Sequence, residues 1–279
     1  MLTEQQKTDY LRDGFIVLES LIDQSDLDSI RTAASDIVDE FDIDNQRTVF
    51  STSDEDRGRD RFFIESSENV SCFLEADALD ENGNLVAPKQ QSINKIGHAM
   101  HDLVPEFKHF CRLGVFAELL RDISYADPVL WQSMYIFKQP GIGGEVRWHQ
   151  DASYLITEPA AVVGLWIAVE DAHKGNGCLW VQPGGHRSPL REIFEVKPGA
   201  EYGVLRQLDD TPWPTESEGV AVEVPAGSVI LFSDHLPHYS SHNYSDITRQ
   251  ALTMHISEAD ANWSENNWLQ RKTLGHYHL

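Results

Sequence analysis

At 279 residues, 41% apolar and 10% aromatic, the chain has the length and apolar content of one large soluble domain with a substantial core. Its formal charge of −23 tells against nucleic acid and anionic membranes as partners, since both need a basic footprint, and weighs mildly against a polyanionic coenzyme A thioester. No apolar run approaches the roughly 20 residues that cross a bilayer, the N-terminus lacks the features of a secretory or transit signal, and three scattered cysteines (Cys72, Cys111, Cys178) suit a reducing compartment, so a cytoplasmic protein is expected.

In chain order, residues 3–13 predict a short helix capped by Thr3, with Gln6 three places on completing a capping box. The stretch GFIVLESL (14–21) reads as a strand. A second helix is expected from Ser25, as N-cap, to Phe41, with Leu27, Ile30, Ala34, Ile37, Val38 and Phe41 along one stripe. The charged TSDEDRGRDRFF (52–63) is expected to be a loop, and residues 90–123 read as helical with a break near Pro105. From Val129 the texture changes to short β-type runs between Gly, Pro and Asn turns: LWQSMYIFK, AVVGLWIAVE, GCLWVQP, VAVEVPAGSVILF and RQALTMHIS. Helices followed by many short strands predict a mainly β protein with a helical flank, a double-stranded β-helix of jelly-roll or cupin type. One domain over 1–279 is expected, with a mostly helical flank at 1–125, a jelly-roll core at 126–260 and a tail at 261–279.

The chemistry starts at RWHQDASYL (147–155). A mononuclear iron site for oxygen chemistry takes two imidazoles and one carboxylate on one face. His149 and Asp151 are two residues apart, so a strand end presents both on one side. The third ligand must come from far downstream, where His235 and His238 both follow the strand SVILF, introduced by the turn Pro225-Ala226-Gly227. Spacing alone leaves both open. In RQALTMHIS, Arg249, Ala251, Thr253 and His255 share one face, small and polar like a cavity lining. An arginine buried there needs an anion, and a dicarboxylate would serve, although an ordinary surface ion pair would satisfy the same residue. In AVVGLWIAVE, Trp166 stands between Gly164 and Ala168 opposite an aliphatic face, as in a cavity wall.

The set WHQD (148–151), NGCLWVQPGGHR (176–187), GSVILF followed by His238, and HYSSHNYSDITRQ (238–250) resembles the phytanoyl-CoA dioxygenase family of Fe(II)/2-oxoglutarate oxygenases. It is most similar to the members known as phytanoyl-CoA dioxygenase domain-containing proteins, and the similarity extends over nearly the whole chain. The resemblance implies Fe(II), 2-oxoglutarate and O2 as cofactor and cosubstrates. It implies His149, Asp151 and His238 as metal ligands, and the interval of eleven residues from His238 to Arg249 selects His238 over His235. It assigns Arg249 and Ser240 to the distal carboxylate of 2-oxoglutarate, Trp166 to the pocket wall, and Met134 and Lys95 to further cosubstrate contacts. The carboxylate at Asp151 favours hydroxylation over halogenation, because related halogenases carry a small residue there.

Gln150 is expected beside the cosubstrate, and with Tyr154 and the loop bearing Arg57, Arg59 and Arg61 it is placed at the open side of the site. His242 and His255 are candidates for orienting the ligands, and His186 for ordering the PGGHR turn through hydrogen bonds. His98, His101, His109, His173, His276 and His278 are read as surface or satisfied core residues. The expected activity is hydroxylation of a small molecule with release of succinate and CO2. The alternatives are a non-oxidative metal hydrolase or isomerase on the same fold, and a binding protein that keeps the ligands without turnover.

Overall fold

A computed structural model describes residues 1–43, 48–49 and 61–279, with residue 61 described in its backbone alone. Helix α1 (Glu4–Asp13) starts at the expected capping box, where Thr3 and Gln6 satisfy each other's backbone N–H, and stops at Gly14, whose φ of 83° is left-handed. The strand β1 (Phe15–Leu18) follows. Helix α2 (Gln24–Glu40) starts two residues earlier than expected, with Asp23 rather than Ser25 at the N-cap position and no hydrogen bond from its side chain to the first turn. Its buried stripe is Leu27, Ile30, Ala33, Ala34 and Val38, each larger member contributing about 1.5–3 kcal/mol of apolar burial.

Residues 52–60 of the expected charged loop lie outside the described residues, and Phe62 and Phe63 belong to a one-turn helix, α3 (Arg61–Glu65). Strand β2 (Val70–Leu74) then pairs with β3 (Ile93–His98). The expected helix over 90–123 is corrected here: residues 93–98 are a strand, and helices α4 (Met100–Leu103), α5 (Pro105–Phe110) and α6 (Gly114–Asp122) follow it. All six residues of β3 are buried, so neither face carries the polar alternation that marks a half-exposed strand.

From residue 128 the chain alternates between two antiparallel sheets. The larger receives β4 (Pro128–Ile136), β6 (Val162–Ala168), β11 (Val229–Ser233) and β13 (Ala251–Glu258); the smaller receives β5 (Val146–His149), β7 (Leu179–Val181), β10 (Val220–Val222) and β12 (His238–Ser240). The orders are β11-β6-β13-β4 and β10-β7-β12-β5, four strands winding against four, which is the expected jelly roll. Strands β8 (Glu192–Glu195) and β9 (Val204–Gln207) form a separate hairpin.

The flanks do more than cover this core. β1 extends the larger sheet beside β11, and β3 and β2 extend it beyond β4, while the tail adds β14 (Tyr277–His278) to β4. Leu165, Ile167, Leu231, Leu252 and Met254 pack against α2, α5 and α6 in the main core. The opposite face of the same strands turns toward the smaller sheet, where Trp166, Ile230 and Phe232 meet Leu179, Val181 and Val222. Phe232 lies directly opposite Gly164 in the ladder, and a Cβ on Gly164 would stand 2.5 Å from its ring. The glycine therefore lets a large ring lie flat beside the site. Among the described residues no helix is long and apolar enough to cross a membrane.

Candidate active site

Strand β5 ends at His149, Asp151 follows in a single 3-10 turn, and His238 opens β12 directly across the ladder from His149. One ligating atom of each lies within 4.8 Å of the other two. His149 Nε2 and His238 Nε2 are 3.6 and 3.7 Å from Asp151 Oδ1. The second nitrogen of each ring fixes its tautomer: Nδ1 of His149 donates to the carbonyl of Arg147 at 2.9 Å, and Nδ1 of His238 to that of Leu236 at 3.0 Å. Both Nε2 atoms are thus bare lone pairs turned toward the carboxylate, the state a divalent cation requires. Burial, reinforced by the neighbouring His149, pushes the pKa of His238 down to about 4, so its ring is neutral at physiological pH.

Asp151 is held by a short relay. Its Oδ2 accepts from His255 Nε2 at 3.0 Å, and His255 Nδ1 in turn accepts from Gln132 Nε2 at 3.1 Å. Burial alone would push the carboxyl up, but the neighbouring His255 and His238 rings and the hydrogen bond from His255 outweigh it and hold the group well below the usual carboxylate range. Asp151 is therefore an anion with Oδ1 directed at the two imidazoles. His235, the rival by spacing, is not in this cluster, and its carbonyl accepts from Gln150.

The three residues line one cavity between the sheets, together with Arg249, Ser240, Trp166, Met134 and Lys95. Arg249 is 2% exposed. Its Nε donates to the carbonyl of Gly177 at 3.0 Å and its Nη2 to Ser240 Oγ at 3.2 Å, while Trp166 covers the guanidinium face at 5.2 Å from the ring centroid. Among the described residues no carboxylate pairs with it, and Nη1 has no hydrogen-bond partner. Burial lowers its pKa to about 10, which leaves it charged. A buried, oriented cation with a free donor in a cavity is a receptor for an anion. Lys138, which sequence reasoning passed over, lies beside this end: buried to 1% exposure, it donates from Nζ to the carbonyls of Gly144 and Ser240, and burial pushes its pKa down to about 7.

Other expectations divide. Tyr154 lines the cavity, as do the face residues Thr253 and His255 of β13. Gln150, expected beside the cosubstrate, does not line this cavity. Fully buried, it turns its amide away from the cavity, donates to the carbonyls of Pro189 and His235, and accepts from the Arg191 N–H. His149 at the end of β5 and Asp151 two places on face the site, and Gln150 between them faces the supporting loops. His242 bonds the carbonyl of Gly141 and lies off the cavity. The PGGHR turn is tied to α1 by Arg187, which donates to the carbonyls of Leu11 and Arg12, and by the Gly184 N–H, which donates to that of Asp13, with the His186 ring set against Gly14. Arg57 and Arg59, and the side chain of Arg61, lie outside the described residues. Gln132, Met134, Ile136 and Lys138 all line the cavity, so alternation along β4 carried the signal for Gln132 and Lys138.

A model of the phytanoyl-CoA dioxygenase (PhyH) family matches residues 10–251. The phytanoyl-CoA dioxygenase of Arabidopsis thaliana is 39% identical over 277 residues, covering 98% of this chain and 95% of the relative. Phytanoyl-CoA dioxygenase domain-containing protein 1 of Danio rerio is 36% identical over 277 residues, covering 97% and 95%. Among solved structures, the non-heme alpha-ketoglutarate-dependent carbocyclase SnoK from nogalamycin biosynthesis aligns with a TM-score of 0.66 at 17% identity, covering 98% of this chain and 95% of that one. EctD from S. alaskensis, solved with 2-oxoglutarate and 5-hydroxyectoine, aligns with a TM-score of 0.64 at 19% identity, covering 97% and 84%. The shared fold is the double-stranded β-helix described above. With a family model spanning most of its length and relatives matched nearly end to end, the chain belongs to the phytanoyl-CoA dioxygenase family of iron(II)- and 2-oxoglutarate-dependent oxygenases.

Proposed function

We propose that the protein hydroxylates a small-molecule substrate, with His149, Asp151 and His238 as the iron ligands and Arg249 as the anchor of 2-oxoglutarate. The observation that carries this reading is Arg249: a buried guanidinium, braced by Gly177 and Ser240, whose remaining donor has no partner in a cavity shared with a His-Asp-His cluster. A hydrolase or isomerase that used the metal only as a Lewis acid would have no use for that donor. The donor set suits iron(II), two neutral imidazoles and one carboxylate on a single side. When bound, iron(II) and 2-oxoglutarate together turn dioxygen into the oxidant that places a hydroxyl on the substrate, with release of succinate and CO2.

The chain's own residues supply position, charge and dryness. The Arg147 and Leu236 carbonyls hold the protons of both imidazoles at Nδ1, so Nε2 stays available. His255 keeps its Nε2 proton on Asp151 Oδ2, which leaves Oδ1 to face the cation. Ser240 donates its hydroxyl proton to the Gly177 carbonyl and accepts from Arg249, so the guanidinium cannot swing. Trp166, Met134 and Lys95 wall the cosubstrate and exclude water. Gly164 makes room for Phe232, whose ring packs 4.9 Å from that of His238 and limits its rotation.

The test uses 18O2. SnoK is a carbocyclase and the EctD complex holds 5-hydroxyectoine, so the same fold serves reactions with and without oxygen in the product. For a substrate found by 2-oxoglutarate consumption, hydroxylation places one 18O in the product and one in succinate. A product without the label, formed alongside labelled succinate, contradicts the hydroxylase assignment and points to cyclisation or epimerisation. His149→Ala and Asp151→Ala abolish both labels.

A further inference from the structure

The cavity has a second polar end that the metal and cosubstrate reading uses only through Lys95. It is built by β3, α3 and the tail, and its walls are Phe63, His98 and Trp268. Phe63 stacks on Trp268 at 4.3 Å between ring centroids, and the edge of His98 meets both rings, at 5.6 and 4.9 Å. His98 is fully buried, and among the described residues its Nε2 has no hydrogen-bond partner. Orphaned buried ring nitrogens are rare, and one that lines a cavity calls for a ligand.

The proton on this ring can be located. Ser66 Oγ donates to the carbonyl of Phe63 at 2.6 Å, which uses its only hydrogen. The 2.9 Å contact between Ser66 Oγ and His98 Nδ1 must then be a donation from the imidazole. Nδ1 carries the proton, and Nε2 is a bare acceptor. Burial lowers the ring's pKa well below its ordinary value, so it stays neutral. A second acceptor lies in the same cavity: Gln132, whose amide nitrogen is committed to His255, has a buried Oε1 without a partner. The two ends of the cavity therefore differ in what their unpartnered groups offer. The Arg249 end offers a donor and takes an anion; the His98 end offers acceptors between aromatic walls.

We infer that the His98 end is the substrate subsite and that it selects a neutral ring compound bearing a hydroxyl or N–H, which donates to His98 Nε2 while its ring packs on Phe63 and Trp268. Lys95, whose ammonium lies 5.6 Å from the Phe63 ring centroid, disfavours a cationic guest at this end. The inference rests on the proposed oxygenase reading for the word substrate, but the subsite itself stands on His98. Gln132 also links the subsite to the metal ligands, through His255 to Asp151, so a guest that reaches Oε1 touches the same relay.

Two measurements test it. In protein labelled with 15N-histidine, the shifts of His98 give its tautomer directly: protonated Nδ1 and bare Nε2 are expected, and a protonated Nε2 overturns the inference without reference to any ligand. Phenol and anisole, alike in ring and differing in the donor, are then titrated by saturation-transfer NMR into protein loaded with zinc(II) and 2-oxoglutarate, and into unloaded protein. Phenol is expected to bind about tenfold more tightly than anisole, the size of one buried hydrogen bond. In His98→Phe, which keeps an aromatic wall and removes the acceptor, the two are expected within twofold. Equal binding in the wild type, or a preference unchanged in His98→Phe, overturns the subsite. Failure of the oxygenase reading shows separately: the preference for phenol persists, but iron(II) and 2-oxoglutarate form no joint complex.

Discussion

Asp151 is informative as a residue because its two oxygens have different tasks. Oδ1 faces the imidazoles, and Oδ2 is held by His255, which takes its own direction from Gln132. Removing the holder frees the carboxylate to rotate and leaves its charge buried with one bond fewer. His255→Ala is therefore expected to lower Fe(II) affinity by about 10- to 100-fold with the fold retained, measured by metal titration with circular dichroism as the control. The His-x-Asp pair was legible from strand parity, and the arginine eleven residues after His238 from the family resemblance. His98 was not, and was set aside as background, because its value lies in a proton located by Ser66 and Phe63, some thirty residues away in the chain. Gln150 was misplaced because a residue between two ligands looks like part of the site until parity turns it away.

At the scale of elements, the faces of β6 and β13 follow their alternation: Leu165, Ile167, Leu252 and Met254 enter the main core, while Trp166, Thr253 and His255 enter the cavity. β3 escaped detection because both of its faces are covered and its polar Asn94, Lys95 and His98 break the period-two alternation that marks a strand. The large–small pairing of Phe232 with Gly164 yields a prediction. Gly164→Ala forces the new methyl against a ring in a packed sheet and should destabilise by about 1–3 kcal/mol in urea unfolding. Because the Phe232 ring also packs on His238, the same variant should weaken metal binding, whereas a substitution on the far face of β6 should cost stability alone.

Over the whole molecule, the division into flank, core and tail understates how the parts share the site. The flank supplies Phe63, Lys95 and His98 to the cavity and the tail supplies Trp268, while Arg271 of the tail pairs with Asp102 of α4 at 2.8 Å. Long-range closure of this kind has no local signature in sequence. It does leave a trace in pH dependence. His101 is fully buried at this junction; burial, and then the charge of Arg271, hold its pKa well below the ordinary value. The native state refuses a proton that the unfolded chain accepts below about pH 6.5, so this group's effect is absent above that pH and destabilises progressively as pH falls. Replacing it by a side chain that cannot titrate, His101→Phe, should make the fall of unfolding free energy between pH 6 and 5 shallower by about 1.4 kcal/mol per pH unit, whatever its effect on stability at pH 8. An unchanged slope would mean that the ring titrates normally.

The most direct test of the central claim joins the metal cluster to the buried arginine in one observation. Under nitrogen, the metal-free protein is titrated with Fe(II) and then with 2-oxoglutarate, and the weak visible charge-transfer band of the chelated complex is followed. The account predicts a band in the wild type that saturates with 2-oxoglutarate. In Arg249→Ala, which removes the charge that meets the distal carboxylate, saturation should need at least about 30-fold more cosubstrate, the equivalent of a buried charge pair worth about 2 kcal/mol or more. Bound iron with no band, or a band with the same 2-oxoglutarate dependence in Arg249→Ala, would contradict it.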